Sequence, residues 1–312
     1  MITRSLLGLL LTVVCAWMLQ DAATTKGPMA ASSEQNSDLA KLFAYKPSGK
    51  FDVQEVSTNE RDGVIIQDLN YAAETPQRGR IKAFMIKPVG KGPFAGILFF
   101  HWLGEPNGDR TQFLDEAAAL ARLGAVSLLI QGSFPWAVEP TDGASDRERI
   151  ANETREVRRA LDLLLSQPVV DKKRIGYVGH DYGAMYGSIT AAFDKRVSAY
   201  VLIAGIGTFS DWSLEYWLKA RGDEFKKSYR QALFPLEPIS LIGKAKPAAL
   251  LFQFANNDKY ITKEKATSFA AAASEPKEVR WYDATHEMNV PAARDDRREW
   301  LTAKLKLRKS GR

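Results

Sequence analysis

The stretch from Arg174 to Gly187, RIGYVGHDYGAMYG, decides how the rest of the chain is read. Ile175, Tyr177 and Val178 close a buried strand. Gly179-His180-Asp181-Tyr182-Gly183 then turns sharply, and Ala184, Met185, Ile189, Ala191 and Ala192 continue as a helix of small and apolar residues. A residue held in a strained backbone conformation needs neighbours without a bulky Cβ, and the glycines two before and two after Asp181 meet that need. The turn lifts the Asp181 side chain clear of the sheet at the mouth of the helix, where the dipole and free N–H groups favour negative charge. Those groups are expected to keep the carboxylate ionised near neutral pH. The bland alternative is a tight strand-to-helix turn with an Asp N-cap.

Working outward, Phe94 to Trp102 (FAGILFFHW) and Ala125 to Ile130 (AVSLLI) are solid apolar runs, as for strands covered on both faces. Gly63 to Tyr71 and Arg80 to Val89 read as two antiparallel strands turning near Thr75-Pro76. Asp109 and Thr111 can cap a helix that carries Phe113, Leu114, Ala117, Leu120 and Ala121 and ends at Gly124. Arg147 to Ser166 reads as a long helix, with Ile150, Val157, Leu161 and Leu164 on one face and Arg and Glu on the other. Beyond the turn come a strand over Val197 to Ile206 and an aromatic, charged segment over 211–245. A strand over Pro247 to Phe254, a helix over Thr262 to Ala273, a strand over Glu278 to Tyr282 and a helix over Arg294 to Leu305 complete the chain. This alternation predicts an α/β fold, with a mostly parallel sheet, antiparallel N-terminal strands and helices on both faces.

A chain of 312 residues can bury one large core, and 45% hydrophobic with 26% charged residues suits a soluble globular protein. The net charge of +6 is spread out. Its one dense basic run, Lys304, Lys306, Arg308 and Lys309, reads as a solvated helix end, so no nucleic-acid partner is expected. Three histidines and one cysteine are too few for a ligand cluster, and there is no Gly-rich phosphate loop. No metal and no organic cofactor are expected.

The N-terminus carries positive charge within Met1 to Arg4, an apolar run from Ser5 to Leu19, and polar Gln20 and Asp21. That pattern reads as a signal peptide over 1–22, with Ala22, Ala23, Ala30 and Ala31 as candidate cleavage points. The protein is expected to be secreted or periplasmic, and membrane-anchored if the segment stays uncleaved. Loss of Cys15 with the signal would leave no disulfide. Residues 23–46 read as a flexible leader and 47–312 as the folded domain. Oligomeric state is not legible.

The elbow-like turn resembles the nucleophile elbow of the α/β-hydrolase superfamily. The phrases ILFFHWLG, FLDEAAALARLGAVSLLI, RIGYVGHDYGAMYG, LLFQFANNDKYIT and YDATHEMN resemble its dienelactone hydrolase-like group, over about Phe51 to Leu305. Relatives in that group carry Cys or Ser at the elbow, whereas this chain has Asp181. The G-H-D-x-G form is similar to haloalkane dehalogenases and epoxide hydrolases, which attack carbon with a carboxylate. Those families usually have Trp after the Asp and a large helical cap. Here Tyr182 follows, and the insertion is short.

With the chain order nucleophile, acid, base, the resemblance implies Asp181 as nucleophile, Asp258 as acid and His286 as base. Asp211, after the preceding strand, competes with Asp258, and Asp283 is too close to His286 in sequence to orient it. The oxyanion donors implied are the N–H of Tyr182 and that of Trp102 or Leu103, where most relatives have Gly. His101 is expected to support its loop, and His180 to point away from the nucleophile. Trp136, Trp212, Tyr216 and Trp217 are candidate walls of a small-molecule site. The 211–245 segment reads either as a short lid or as helices packed on the body. Three functions stay open. They are a hydrolase acting on an epoxide or haloalkane through an aspartyl ester, a dienelactone hydrolase- or carboxylesterase-like enzyme, and a non-catalytic binding protein.

Overall fold

The computed structural model describes residues 33–46, 49–75, 78–104, 108–134 and 138–308. The expected signal peptide over 1–22 and the candidate wall residue Trp136 lie outside the described residues. Three strands come first, β1 (Gln54–Arg61), β2 (Val64–Ala72) and β3 (Arg80–Pro88), each antiparallel to the next. β4 (Phe94–Phe100), β5 (Ala125–Ile130), β6 (Val170–His180), β7 (Ala199–Ile203), β8 (Ala249–Ala255) and β9 (Lys277–Tyr282) then run parallel in the spatial order β5-β4-β6-β7-β8-β9. β3 joins the two parts by pairing antiparallel with β5. The central strands β4 and β5 are buried at every residue, as their predominantly apolar runs require.

The helices are α1 (Ser33–Leu42), α2 (Leu114–Ala121), α3 (Gly143–Leu165), α4 (Tyr182–Phe193), α5 (Phe209–Trp212), α6 (Asp223–Leu233), α7 (Pro238–Leu241), α8 (Lys263–Ala272) and α9 (Pro291–Lys304). Alternation along β6 shows how they cover the sheet. Gly176 faces Leu301 and Leu305 at the end of α9, while its neighbour Tyr177 lies against Gly187 of α4. α3 and α4 contact each other on that second face. The chain leaves β4 for β5 on one side and reaches β6 on the other. That reversal opens a crevice at the carboxyl ends of β4 and β6, where the turn at Asp181 sits.

Four expectations are corrected. The leader expected over 23–46 includes a helix at Ser33–Leu42; Leu39 and Phe43, four residues apart, are buried, and Phe43 stacks on Phe193 at 4.5 Å. Strand β1 was not expected, because all eight of its residues are exposed and carry no apolar alternation. The polar residues of α3 are not all solvated. Glu153, Glu156 and Arg159 are buried, and the Glu156 carboxylate accepts the N–H groups of Glu74 and Thr75. Asp109 does not cap α2, since it accepts the Thr111 N–H in the preceding turn; α3 does carry a side-chain cap, with Asp142 accepting from Ala144 and Ser145.

The turn at Asp181 has φ 54° and ψ −114°, a conformation that L residues rarely adopt. Its glycines are needed for space. A Cβ at Gly179 would sit 2.3 Å from the Gly183 carbonyl, and one at Gly183 would sit 2.2 Å from that of Phe100. Replacing Gly183 by Ala should therefore cost about 3 kcal/mol or more in urea unfolding. Gly222→Ala, whose Cβ meets nothing within 4 Å, should stay within about 1 kcal/mol of the parent. Equal stability of the two variants would remove the steric account of the turn.

Candidate active site

Four loops at the carboxyl edge of the sheet meet in one place. They follow β4, β6, β8 and β9, and they bring Leu103, Asp181, Asp258 and His286 together. The elbow is held from several sides. The Asp181 N–H donates to Ile203 at 2.8 Å, its carbonyl accepts from Met185 at 3.0 Å, and the Tyr177 hydroxyl donates to Gly183 at 2.6 Å. Strain of this kind costs about 1–3 kcal/mol and persists only where such bonds over-determine it.

The Asp181 side chain is completely buried. Its two oxygens are treated differently. Oδ2 accepts the Leu103 N–H at 3.0 Å, and the neighbouring Tyr182 N–H also favours the charged carboxylate. Oδ1 has no hydrogen-bond partner. It lies 3.9 Å from His286 Nε2, which likewise has none. That separation is too long for a direct bond. On the far side of the ring, His286 Nδ1 lies 2.8 Å from Asp258 Oδ2. Asp258 is itself held by the N–H groups of Tyr260 and Ile261 on its Oδ1, at 2.8 and 3.0 Å. The competitor Asp211 is engaged elsewhere, with Arg230 and Lys265. Asp283 accepts from the Asn257 amide.

Of the two alternatives for the second N–H donor, Leu103 is the one aimed at Asp181. Trp102 is corrected, because its N–H is taken by Gln112 Oε1 at 3.0 Å. His101 supports its loop. The Gly132 N–H donates to its Nε2 at 2.9 Å, so Nδ1 carries the proton and donates to the Trp102 carbonyl at 2.7 Å. Burial holds its pKa down at about 4.

A cleft of about 630 Å³ opens over His286. Trp212, Tyr216 and Trp217 line it, along with Trp102, Tyr260, Lys259 and Glu287. The rings of Trp102, Trp212 and Tyr260 stand 6.0, 5.8 and 5.1 Å from the imidazole. The 211–245 segment divides between the two readings. α5 and the π-helical turn Ser213–Trp217 present rings to the cleft. α6 packs on α3, where the Tyr229 hydroxyl donates to Asp146 at 2.8 Å. Sequence reasoning missed Tyr260 and Gln112. Tyr260, two residues after Asp258, could have been found by that adjacency; nothing in the sequence marks Gln112. Among the described residues no group of three or more His, Cys, Asp or Glu is arranged to hold a metal ion.

The electrostatics overturn one expectation. Burial pushes the Asp181 carboxyl up to about 7, despite the opposing pull of His286 and of the Leu103 and Tyr182 N–H groups. Desolvation of a fully enclosed carboxylate outweighs two N–H donors. For His286, burial works to lower the pKa, but the Asp258 hydrogen bond and the charges of Asp181 and Asp258 win and raise it. The site thus holds a carboxyl group and an imidazole that are both shifted upward by their surroundings.

No protein-family model matches the chain. Acyl-coenzyme A amino acid N-acyltransferase 2 of Mus musculus is 30% identical over 148 residues, which cover 46% of this chain and 31% of that protein. The chain thus matches about a third of the length of that relative. Solved structures agree over most of the chain. An acetyl xylan esterase from a Paenibacillus species superposes with a TM-score of 0.69 at 18% identity, covering 89% of this chain and 97% of that one. Acetyl xylan esterase 1 from a Thermoanaerobacterium species gives 0.67 at 15%, covering 87% and 93%. An S-formylglutathione hydrolase from Agrobacterium tumefaciens gives 0.63 at 16%, covering 81% and 99%. At these identities the likeness is one of fold.

The raised Asp181 pKa has a consequence for stability. The carboxyl moves from an ordinary 3.8 to about 7 on folding, so the folded state binds the proton more tightly. Its contribution is complete below the unfolded value and is lost as pH rises towards 7. Asp181→Asn keeps an acceptor for the Leu103 N–H and removes the charge. It should raise Tm by about 2 °C or more at pH 8, and by less at pH 5, in parallel thermal melts. The same change at both pH values would show that burial does not govern this group.

Proposed function

We propose that this chain, which has the α/β-hydrolase fold, is a hydrolase that attacks an electrophilic carbon with Asp181 and releases the product by hydrolysis of an aspartyl ester. The observation that carries this reading is the unequal treatment of the two Asp181 oxygens. Oδ2 sits against the Leu103 N–H, while unpartnered Oδ1 faces the gap beside His286. In the first step Oδ1 bonds to the substrate carbon, and the bond from that carbon to a halogen or an epoxide oxygen breaks with its electron pair. Indole and phenol groups of Trp212, Tyr216 and Tyr260 line the cleft and supply donors for the departing group. In the second step His286 Nε2 takes a proton from water, and the water oxygen bonds to Asp181 Cγ. Negative charge then develops on Oδ2, where the Leu103 N–H already points. Collapse breaks the Cγ–Oδ1 bond, Oδ1 leaves with the product alcohol, and His286 returns the proton. Asp258 orients the imidazole and stabilises its charged form.

The second reading is an ester- or lactone-cleaving enzyme of dienelactone hydrolase-like type. It is favoured by the likeness in fold to solved esterases, acetyl xylan esterases among them. Two features weigh against it. Carboxylate attack on an acyl carbonyl would give an anhydride. The Leu103 N–H, which would receive the acyl oxygen, is also occupied by Oδ2. In a non-catalytic binding protein, nothing would call for the His286–Asp258 pair. The same proposal has the mature protein exported, from the charged and apolar pattern of residues 1–21.

Screening small epoxides, haloalkanes and p-nitrophenyl esters separates the readings, and His286→Gln tests the mechanism. With an accepted epoxide or haloalkane, His286→Gln should lose turnover by about 100-fold or more. It should still alkylate Asp181, giving a stable adduct on the intact protein by mass spectrometry. Turnover confined to the esters, or undiminished turnover in His286→Gln, would overturn the proposal.

A further inference from the structure

His180, one residue before Asp181, is 1% exposed and is not among the residues that line the cleft. Its ring nitrogens both have partners. Nδ1 lies 2.6 Å from Gln112 Nε2, and Nε2 lies 2.9 Å from the carbonyl oxygen of His286. Gln112 in turn receives the Trp102 N–H on Oε1 at 3.0 Å. The two ends of this chain are backbone groups with fixed roles, and they decide every orientation between them. The Trp102 N–H can only donate, so the glutamine must present its oxygen there and its amide N–H to His180. Nδ1 must then accept. The His286 carbonyl can only accept, so His180 Nε2 must carry the proton. One tautomer of one neutral imidazole satisfies the whole chain. A second proton on His180 would set two donors against each other at Gln112.

The chain also runs between the two parts of the reaction site. Trp102 precedes Leu103, whose N–H holds Asp181 Oδ2. The Trp102 ring lies flat on the His180 imidazole, with centroids 5.2 Å apart and planes 1° from parallel. At the other end is the backbone of His286 itself, with its ring 5.7 Å from that of His180. We infer that Gln112 and His180 form a one-way hydrogen-bonded strut that sets the spacing between the Leu103 N–H donor and the His286 imidazole. Both are positioning residues, and neither touches the space beside Oδ1. The surroundings suit this role, since burial, and after it the nearby charges of His286 and Arg297, hold His180 well below the usual histidine range. Arg297 is itself locked to buried Glu116, with bonds of 2.6–2.9 Å. The part played by His286 rests on the function proposed above, but the strut can be read without turnover.

The test is nitrogen-15 NMR of the imidazoles in the whole protein. The three histidines make every ring signal assignable by substitution. In the parent, His180 should appear as the neutral Nε2–H tautomer and should not titrate between pH 5 and 9. The Nδ1–H proton of His286, bonded to Asp258, should exchange slowly with solvent. Gln112→Leu fills the same space without hydrogen bonds. It should mix the His180 tautomers and speed exchange of the His286 Nδ1 proton about tenfold or more, the loss expected for about 1.4 kcal/mol of ordering. Gln112→Glu, which can accept from Trp102 but as a carboxylate cannot donate to Nδ1, should draw a second proton onto His180. A parent His180 in the Nδ1–H form would overturn the strut. So would a His286 proton whose exchange is unchanged by Gln112→Leu. Neither result depends on whether any substrate is turned over.

Discussion

The arrangement depends on one backbone conformation, the positive-φ turn that places Asp181 between β6 and α4. Everything near the site is spaced by it. The residues two before and two after it must be glycines because the first turn of α4 passes within van der Waals distance of the β6 and β4 ends. The loop after β4 must come close enough for Leu103 to reach Oδ2. The strain is offset by backbone bonds to Ile203 and Met185 and by the Tyr177 hydroxyl, so the carboxylate does not relax into an ordinary helix cap. The bland reading of the motif, a simple Asp N-cap, fails here, since Asp181 makes no side-chain bond of the capping kind.

What the turn delivers is a carboxyl group with one committed oxygen and one free oxygen in a dry environment. Burial raises its pKa and so works against ionisation. The same burial strengthens the N–H contacts and the pull of His286 once the charge forms. Asp258 then matters in two ways. It fixes the ring through Nδ1, and its charge keeps the imidazole basic despite burial. The site is a set of groups whose protonation states are settled jointly.

The sheet was legible where strands are buried on both faces. FAGILFF is wholly apolar and AVSLLI is broken only by Ser127, and both are central strands. β1 was illegible for the opposite reason, since an exposed edge strand needs no apolar pattern. The buried Glu153 and Glu156 looked like a solvated helix face because the sequence does not reveal backbone N–H groups waiting across the fold. At the site, chain order sufficed to place Asp181, Asp258 and His286 near one another. The choice between Trp102 and Leu103 turned on where Gln112 points, which is a tertiary fact. The ionisation of Asp181 was misjudged because N–H donors are visible in a motif, whereas the extent of desolvation is not.

The central claim, that Asp181 forms and loses an ester, is tested most directly with water carrying heavy oxygen. Water attacks Asp181 Cγ and the original Oδ1 departs with product, so repeated turnover must place solvent oxygen in this carboxyl group. Peptide mass spectrometry after many turnovers should find the label in the Asp181 peptide and in no other. An unlabelled Asp181 in protein that has turned over its substrate would contradict the account and move the ester-cleaving reading ahead.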